Sequence, residues 1–214
     1  FCSYRFVPEL SRFVGDIHSV LAPTNWIWLI VLFLLTKAIH ELGHGLVCKR
    51  FGGVVPEMGV MILVFFPNPF VDATSSWNFS DKWKRLLVAA AGMIVELAVA
   101  GGAALVWLSA APDSLARQIS YNMVFLASVT TILFNGNPLL RFDGYYMLSD
   151  LLDIPNLYER ATRQIRRLVQ RYAYGMTQVL PVSATSGEAT ALLVYGVASQ
   201  IYRVLILATI ILFI

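Results

Sequence analysis

Residues 26–48 read WIWLIVLFLLTKAIHELGHGLVC. At 1.5 Å per residue this run is long enough to cross the roughly 30 Å hydrocarbon core of a bilayer, which takes about 20 apolar residues. Yet it carries His40, Glu41 and His44 toward its end. Ionisable groups at membrane depth are costly and mark a functional site by default, usually resolved by pairing or by a metal. His40 and His44 are four residues apart, so a helix projects them from one face. H-E-x-x-H on a helix is a zinc-binding arrangement in which the glutamate serves as general base. The chain has only 3 histidines, and two of them are here.

The whole composition agrees with a bilayer setting. Of 214 residues, 57% are hydrophobic and 14% charged, with a mean hydropathy of +0.67, against about 25% charged in soluble domains. Three further apolar runs, 86–111, 119–140 and 189–214, have spanning length. An all-α membrane protein with four transmembrane helices is therefore expected. The chain begins at Phe1 without Met and stops inside an apolar run, as in a processed protein or a piece of a longer one, and no secretory signal peptide is evident.

Lys and Arg number 16 against 13 acidic residues, with a pI near 9.0. Lys49, Arg50, Lys82, Lys84, Arg85, Arg141 and the arginines of 160–171 fall on one side of a four-span topology, and Arg5, Arg12 and Arg117 on the other. The positive-inside rule makes the first side cytoplasmic and puts both ends outside. The basic balance thus reports topology, and no nucleic-acid partner is expected. Cys2 and Cys48 are too few for a disulfide framework and fall on opposite sides.

Residues 1–25 read as an N-terminal interfacial segment, with Leu10, Phe13, Val14, Ile17 and Leu21 at helical spacing. Residues 26–148 form the core. Within it, 52–70 is apolar but broken by glycines and prolines, which suggests short strands or a re-entrant hairpin shielded by protein or lining a wet cavity. Residues 149–186 hold a basic amphipathic helix and a linker, expected on the anionic cytoplasmic leaflet, and 187–214 the fourth span.

Two imidazoles are not enough, since a catalytic zinc usually takes three protein ligands and leaves a position for water. His18 precedes the first span on the outer side, too far from His44 to share an ion. The remaining candidates are Asp143, at the membrane face of His44, and Glu96, inside the second span; topology favours Asp143. Elsewhere, Asp72 reads as a loop residue bonding its own backbone, and Asn137 as a helix-end residue doing the same. Arg141 reads as an anchor to phosphate or Asp150, or as a solvated flank. Arg203 and Gln200 point to an interhelical or partner contact.

With H-E-L-G-H at His40 to His44 and N-G-N-P-L-L-R-F-D-G at Asn135 to Gly144, the chain resembles the site-2 protease family of intramembrane zinc metallopeptidases. Asn135, Pro138, Asp143 and Gly144 match the spacing of that family's second signature. The likeness is to its bacterial peptide zinc metallopeptidase subgroup, through RFGGVVPEMGV, FVDATSSW, AAGMIVEL and NPLLRFDGYYMLSDLLDIPNLYERA, and covers roughly residues 39–175. It implies a three-helix catalytic core, one Zn2+ held by His40, His44 and Asp143, Glu41 as base, and Asn135 holding substrate or oxyanion. Many members carry Gly-Pro, then Asn four residues after that Gly, in the second core helix. Here Gly92 is followed by Met93 and Glu96. Glu96 is then either a protonated hydrogen-bond donor or the partner of a cation such as Lys37. A Lys37–Glu41 pair along the helix is the weaker alternative, because it would compromise the base.

The function expected is an intramembrane zinc endopeptidase of the bacterial cytoplasmic membrane, open toward the cytoplasm. Its partners would be a transmembrane or membrane-associated peptide, the lipid bilayer, and additional export or membrane subunits. The segment from Val54 to Phe66 would serve either as a strand edge for substrate or as a plug of the core. The second reading is a noncatalytic zinc-containing module that binds or escorts an exported peptide. Glu41 separates the two, since hydrolysis needs it and binding does not.

Overall fold

The computed structural model describes residues 20, 22–176, 182–183 and 185–213. His18, Cys2 and most of the expected interfacial helix at Pro8–Leu21 lie outside the described residues.

After a short 3-10 turn at Pro23–Asn25 comes helix α1, Trp26–Arg50. Leu32, Thr36, His40 and Gly43 are buried along it, one stripe at spacings of three and four, while Ile27, Ile30, Val31, Leu35, Leu42 and Leu46 are exposed. A helix that exposes aliphatic residues along its length is suited to hydrocarbon rather than water. Lys49 and Arg50 occupy its last turn, where cations suit the negative end of the helix dipole.

Strands β1 (Met58–Leu63) and β2 (Phe66–Val71) then pair antiparallel, from Met58 opposite Val71 to Leu63 opposite Phe66. The turn between them is Val64–Phe65, both left-handed (φ 50° and 64°) and both almost fully exposed. Left-handed backbone at a β-branched residue is strained. The Phe66 ring lies 6.0 Å from the Phe33 ring, and Val71 lies against Gly45, so β2 runs along α1. Pro67 and Pro69 lack N–H groups, so β2 presents few donors on the edge away from β1.

Helix α2 (Lys82–Ser109) is capped by Asp81, whose carboxylate accepts the Trp83 amide at 2.9 Å. Its small residues Ala91 and Gly92 pack against α1, and the carbonyl of Ala91 comes close to Gly43. Helix α3 (Leu115–Val129) packs on both and passes at Thr130–Asn135 into a π-helical segment. On the far side from the histidines, Val20, Trp107 and Tyr121 cluster. Beside them buried Asn25 and Asn122 exchange amide hydrogen bonds of 2.9 and 2.7 Å.

After a turn at 136–142, helix α4 (Asp143–Leu152) packs against α2. Arg85 ties the two together, 2.7 Å from Asp150 and 3.3 Å from Asp153. Helix α5 (Leu157–Tyr172) lies against α6 (Ser186–Phe213), where Tyr145, Ile154, Leu157, Ala161, Leu192 and Tyr195 make a buried cluster. The basic amphipathic helix of the linker is thus α5.

Among the described residues the protein is mostly helical, with a small two-stranded sheet. Three helices, Pro23–Arg50, Lys82–Ser109 and Ser186–Leu212, are long and apolar enough to cross a membrane. The run expected as the third span behaves differently. It starts at Leu115, widens into π geometry at Thr130 and unwinds after Asn135, and Asp143 opens a new helix.

Candidate metal centre

His40 and His44 sit side by side on the inner face of α1, ring centroids 4.7 Å apart. Both aim Nε2 at Asp143, which is carried in at the first turn of α4. His40 Nε2 lies 3.0 Å and His44 Nε2 3.4 Å from Asp143 Oδ2, and the two Nε2 atoms are 3.0 Å apart. Asp143 Oδ2 is buried and makes no hydrogen bond. Two imidazole nitrogens and a carboxylate oxygen, all metal-ligating atom types, therefore converge on one point. Tetrahedral zinc at 2.0–2.2 Å from N and O ligands sets those atoms roughly 3.3 Å apart. The donor set and its separations fit a single zinc ion, and His40, His44 and Asp143 form the candidate metal site among the described residues.

Two glycines make the convergence sterically feasible. A Cβ at Gly92 would stand 2.5 Å from Nε2 of both histidines, so only glycine lets α2 pass behind them. A Cβ at Gly144 would stand 2.7 Å from the backbone of Gly136, so the turn before α4 could not close as tightly with a larger residue. The Val88 carbonyl lies 2.7 Å from Nδ1 of His44 and accepts its N–H, leaving Nε2 free for a metal.

Glu41 is half-buried beside the histidines. It lines a cavity of about 250 Å³ together with His44 and Asp143, whose other walls include Val71, Trp77, Arg85 and Tyr146. Glu41 is thus the acidic side chain next to the ligand cluster that faces open space.

Glu96 is fully buried on α2 and does not join the three ligand atoms. Lys37 Nζ lies 3.0 Å from its Oε1, so Lys37 pairs with Glu96 across the helices. The amide of Asn135 donates to Glu96 at 3.2 Å and lies 3.4 Å from Nδ1 of His40. Asn135, expected to hold substrate or oxyanion, thus has Glu96 as a side-chain partner. Asp72 accepts from the amide and hydroxyl of Thr74, and Asn137 from the amide of Leu139, both as local backbone contacts. Arg141 pairs with Glu159 at 3.3 Å and covers the Tyr158 ring; Asp150, one of the anchors considered for it, is taken by Arg85. Arg203 meets the Tyr158 hydroxyl at 2.5 Å, an interhelical contact.

Sequence reasoning missed Val88, Thr130, Thr131 and Trp77. Only Thr130 and Thr131 left a trace in the sequence, as polar residues inside an apolar run.

No family model and no solved structure matches the chain. The Bacillus subtilis (strain 168) protein YydH, named "Putative peptide zinc metalloprotease protein", is 24% identical over 135 residues, 60% of this chain and 49% of that protein. MJ0971 of Methanocaldococcus jannaschii, named an uncharacterized protein, is 33% identical over 75 residues, 35% of this chain and 20% of that protein. The chain therefore spans about half the length of one of these relatives and a fifth of the other. The likeness to YydH is distant, and it suggests a zinc protease.

Proposed function

We propose that this chain is an intramembrane zinc endopeptidase of the site-2 protease type, hydrolysing a peptide bond in a membrane-embedded or membrane-associated substrate. The observation that carries the reading is the meeting of His40, His44 and Asp143 beside a cavity walled by Glu41. A zinc ion held there supplies Lewis acidity, polarising a peptide carbonyl and making water acidic enough to attack near neutral pH.

The chain's own residues do the rest. Glu41 takes the proton from the attacking water and delivers it to the leaving amine as the C–N bond breaks. A peptide in a transmembrane helix has its carbonyls bonded and shielded, so it must unwind and find new backbone partners. The outer edge of β1 supplies them, because the prolines of β2 leave β1 as the side on which the hairpin can grow. In this reading the hairpin is re-entrant, and the cavity opens toward the cytoplasm of a bacterial inner membrane. Further export or membrane subunits would deliver the substrate.

The test is metal analysis together with cleavage of transmembrane peptides. Glu41→Gln should keep zinc and lose turnover, whereas Asp143→Ala should lose both. Zinc retention with peptide binding but no cleavage by the unaltered chain would instead mark a noncatalytic escort.

A further inference from the structure

Glu96 is a carboxylate with no exposure, placed where the resemblance leads one to expect an amide. Its Oε1 faces Lys37 Nζ at 3.0 Å and His40 Nδ1 at 3.3 Å. Its Oε2 accepts from the hydroxyl of Thr131, from the Asn135 amide at 3.2 Å and from the Thr130 hydroxyl at 3.4 Å. A buried charge persists only when paired and when its remaining lone pairs are bonded, and both conditions are met here.

The π-helical segment is what brings three of these donors to one place. In an α-helix, residues 130 and 135 would point about 140° apart. The segment is wound wider, with the Gly136 amide bonded to the Thr131 carbonyl five residues back at 2.6 Å. Residues five apart then share a face, and Thr130 and Asn135 reach the same carboxylate. Such single π turns recur at functional sites.

We propose that Glu96 is a positioning residue for the metal centre. Compensated by Lys37 and held by the π segment, it accepts the Nδ1–H of His40 and so fixes that imidazole in the tautomer and orientation that present Nε2 to the ion. His44 receives the same service from a backbone carbonyl, that of Val88. The two ligands are therefore locked by different means, and only the His40 lock can be changed by altering a side chain. Partners of this kind behind a ligating histidine typically contribute 10–100-fold in metal affinity. The inference rests on the metal reading above and goes beyond it, by assigning α2 and the π segment a part in metal retention.

The experiment uses the full chain in detergent and needs no substrate. Zinc affinity is read by chelator competition, and ring protonation by NMR of protein with labelled histidine, where 3 residues keep the spectrum simple. Glu96→Gln preserves size and should weaken zinc 10–100-fold. The Nδ1 proton of His40 should move upfield while that of His44 stays. Lys37→Arg keeps a cation opposite the carboxylate and should hold affinity near that of the unaltered chain. If Glu96→Gln does not fold, Thr131→Val, which removes one of the three donors to Oε2 but leaves the ion pair, should weaken zinc by a smaller factor.

Unchanged affinity and an unmoved His40 proton in whichever of these two variants folds would overturn the positioning role alone. Equal changes at His40 and His44 would also overturn it, since they would mean general loosening. Failure of the unaltered chain and of Glu41→Gln to bind zinc would overturn the metal reading, and this inference with it.

Discussion

Gly92 and His40 approach so closely that a Cβ on the glycine would stand 2.4 Å from the imidazole Cε1. The contact sets the distance between α1 and α2 at the level of the candidate metal site. In Gly92→Ala the helices must part or the imidazoles must turn away from Asp143. Overpacking of this kind costs about 1–3 kcal/mol. Zinc per chain and the thermal midpoint should both fall, and a variant with full zinc and an unshifted midpoint would show that the helices adjust freely.

The paired amides of Asn25 and Asn122 join the start of α1 to α3, away from the histidines. Replacing either by Ala leaves the other buried and underbonded, at a cost of about 1–3 kcal/mol. Replacing both should cost less than the sum of the two single changes. Denaturation in mixed detergent measures this, and strict additivity would argue against a shared bond.

Arg85 holds α4 to α2 through Asp150, with both side chains mostly shielded. A double-mutant cycle with Arg85→Met and Asp150→Asn should give a coupling of about 1 kcal/mol. Because this tie fixes the helix that begins with Asp143, the single variants should also bind zinc more weakly. Zero coupling, with zinc affinity intact, would show that α4 is held by packing alone.

Asp72 is partly exposed, and donation from the Thr74 hydroxyl and amide holds its carboxyl below the ordinary range. A carboxyl lowered in the folded state adds stability at pH values above its unfolded pKa, and that stability is lost as pH falls through the folded value. Thr74→Val removes the hydroxyl donor, so the Asp72 carboxyl should titrate closer to about 3.9. Carbon-detected NMR reads this directly, and an unmoved midpoint would assign the effect to the amide.

The parts of the site that the sequence made legible are those written locally. His40, Glu41 and His44 share one helical turn, and topology together with the resemblance of N-x-x-P-x-x-x-x-D-G to a family signature pointed to Asp143 without any contact being known. Apolar run length likewise located α1, α2 and α6 to within a few residues. The change from α to π winding at Thr130 was hidden, because hydropathy averages over a window and carries no record of hydrogen-bond register. The competition for Asp150 was hidden too. Arg85 and Arg141 are both cations near a helix end, and only packing decides that the former reaches it. The Val88 carbonyl could not be foreseen, since any residue at that position offers one.

Asp143 lies 99 positions after His44 in the chain. During synthesis the two histidines emerge long before their carboxylate partner. Assembly of the centre is therefore a late event, completed only after α2 and α3 have been made and folded back. A nascent chain halted anywhere before residue 143 carries the H-E-x-x-H pair without the third side chain of the candidate site.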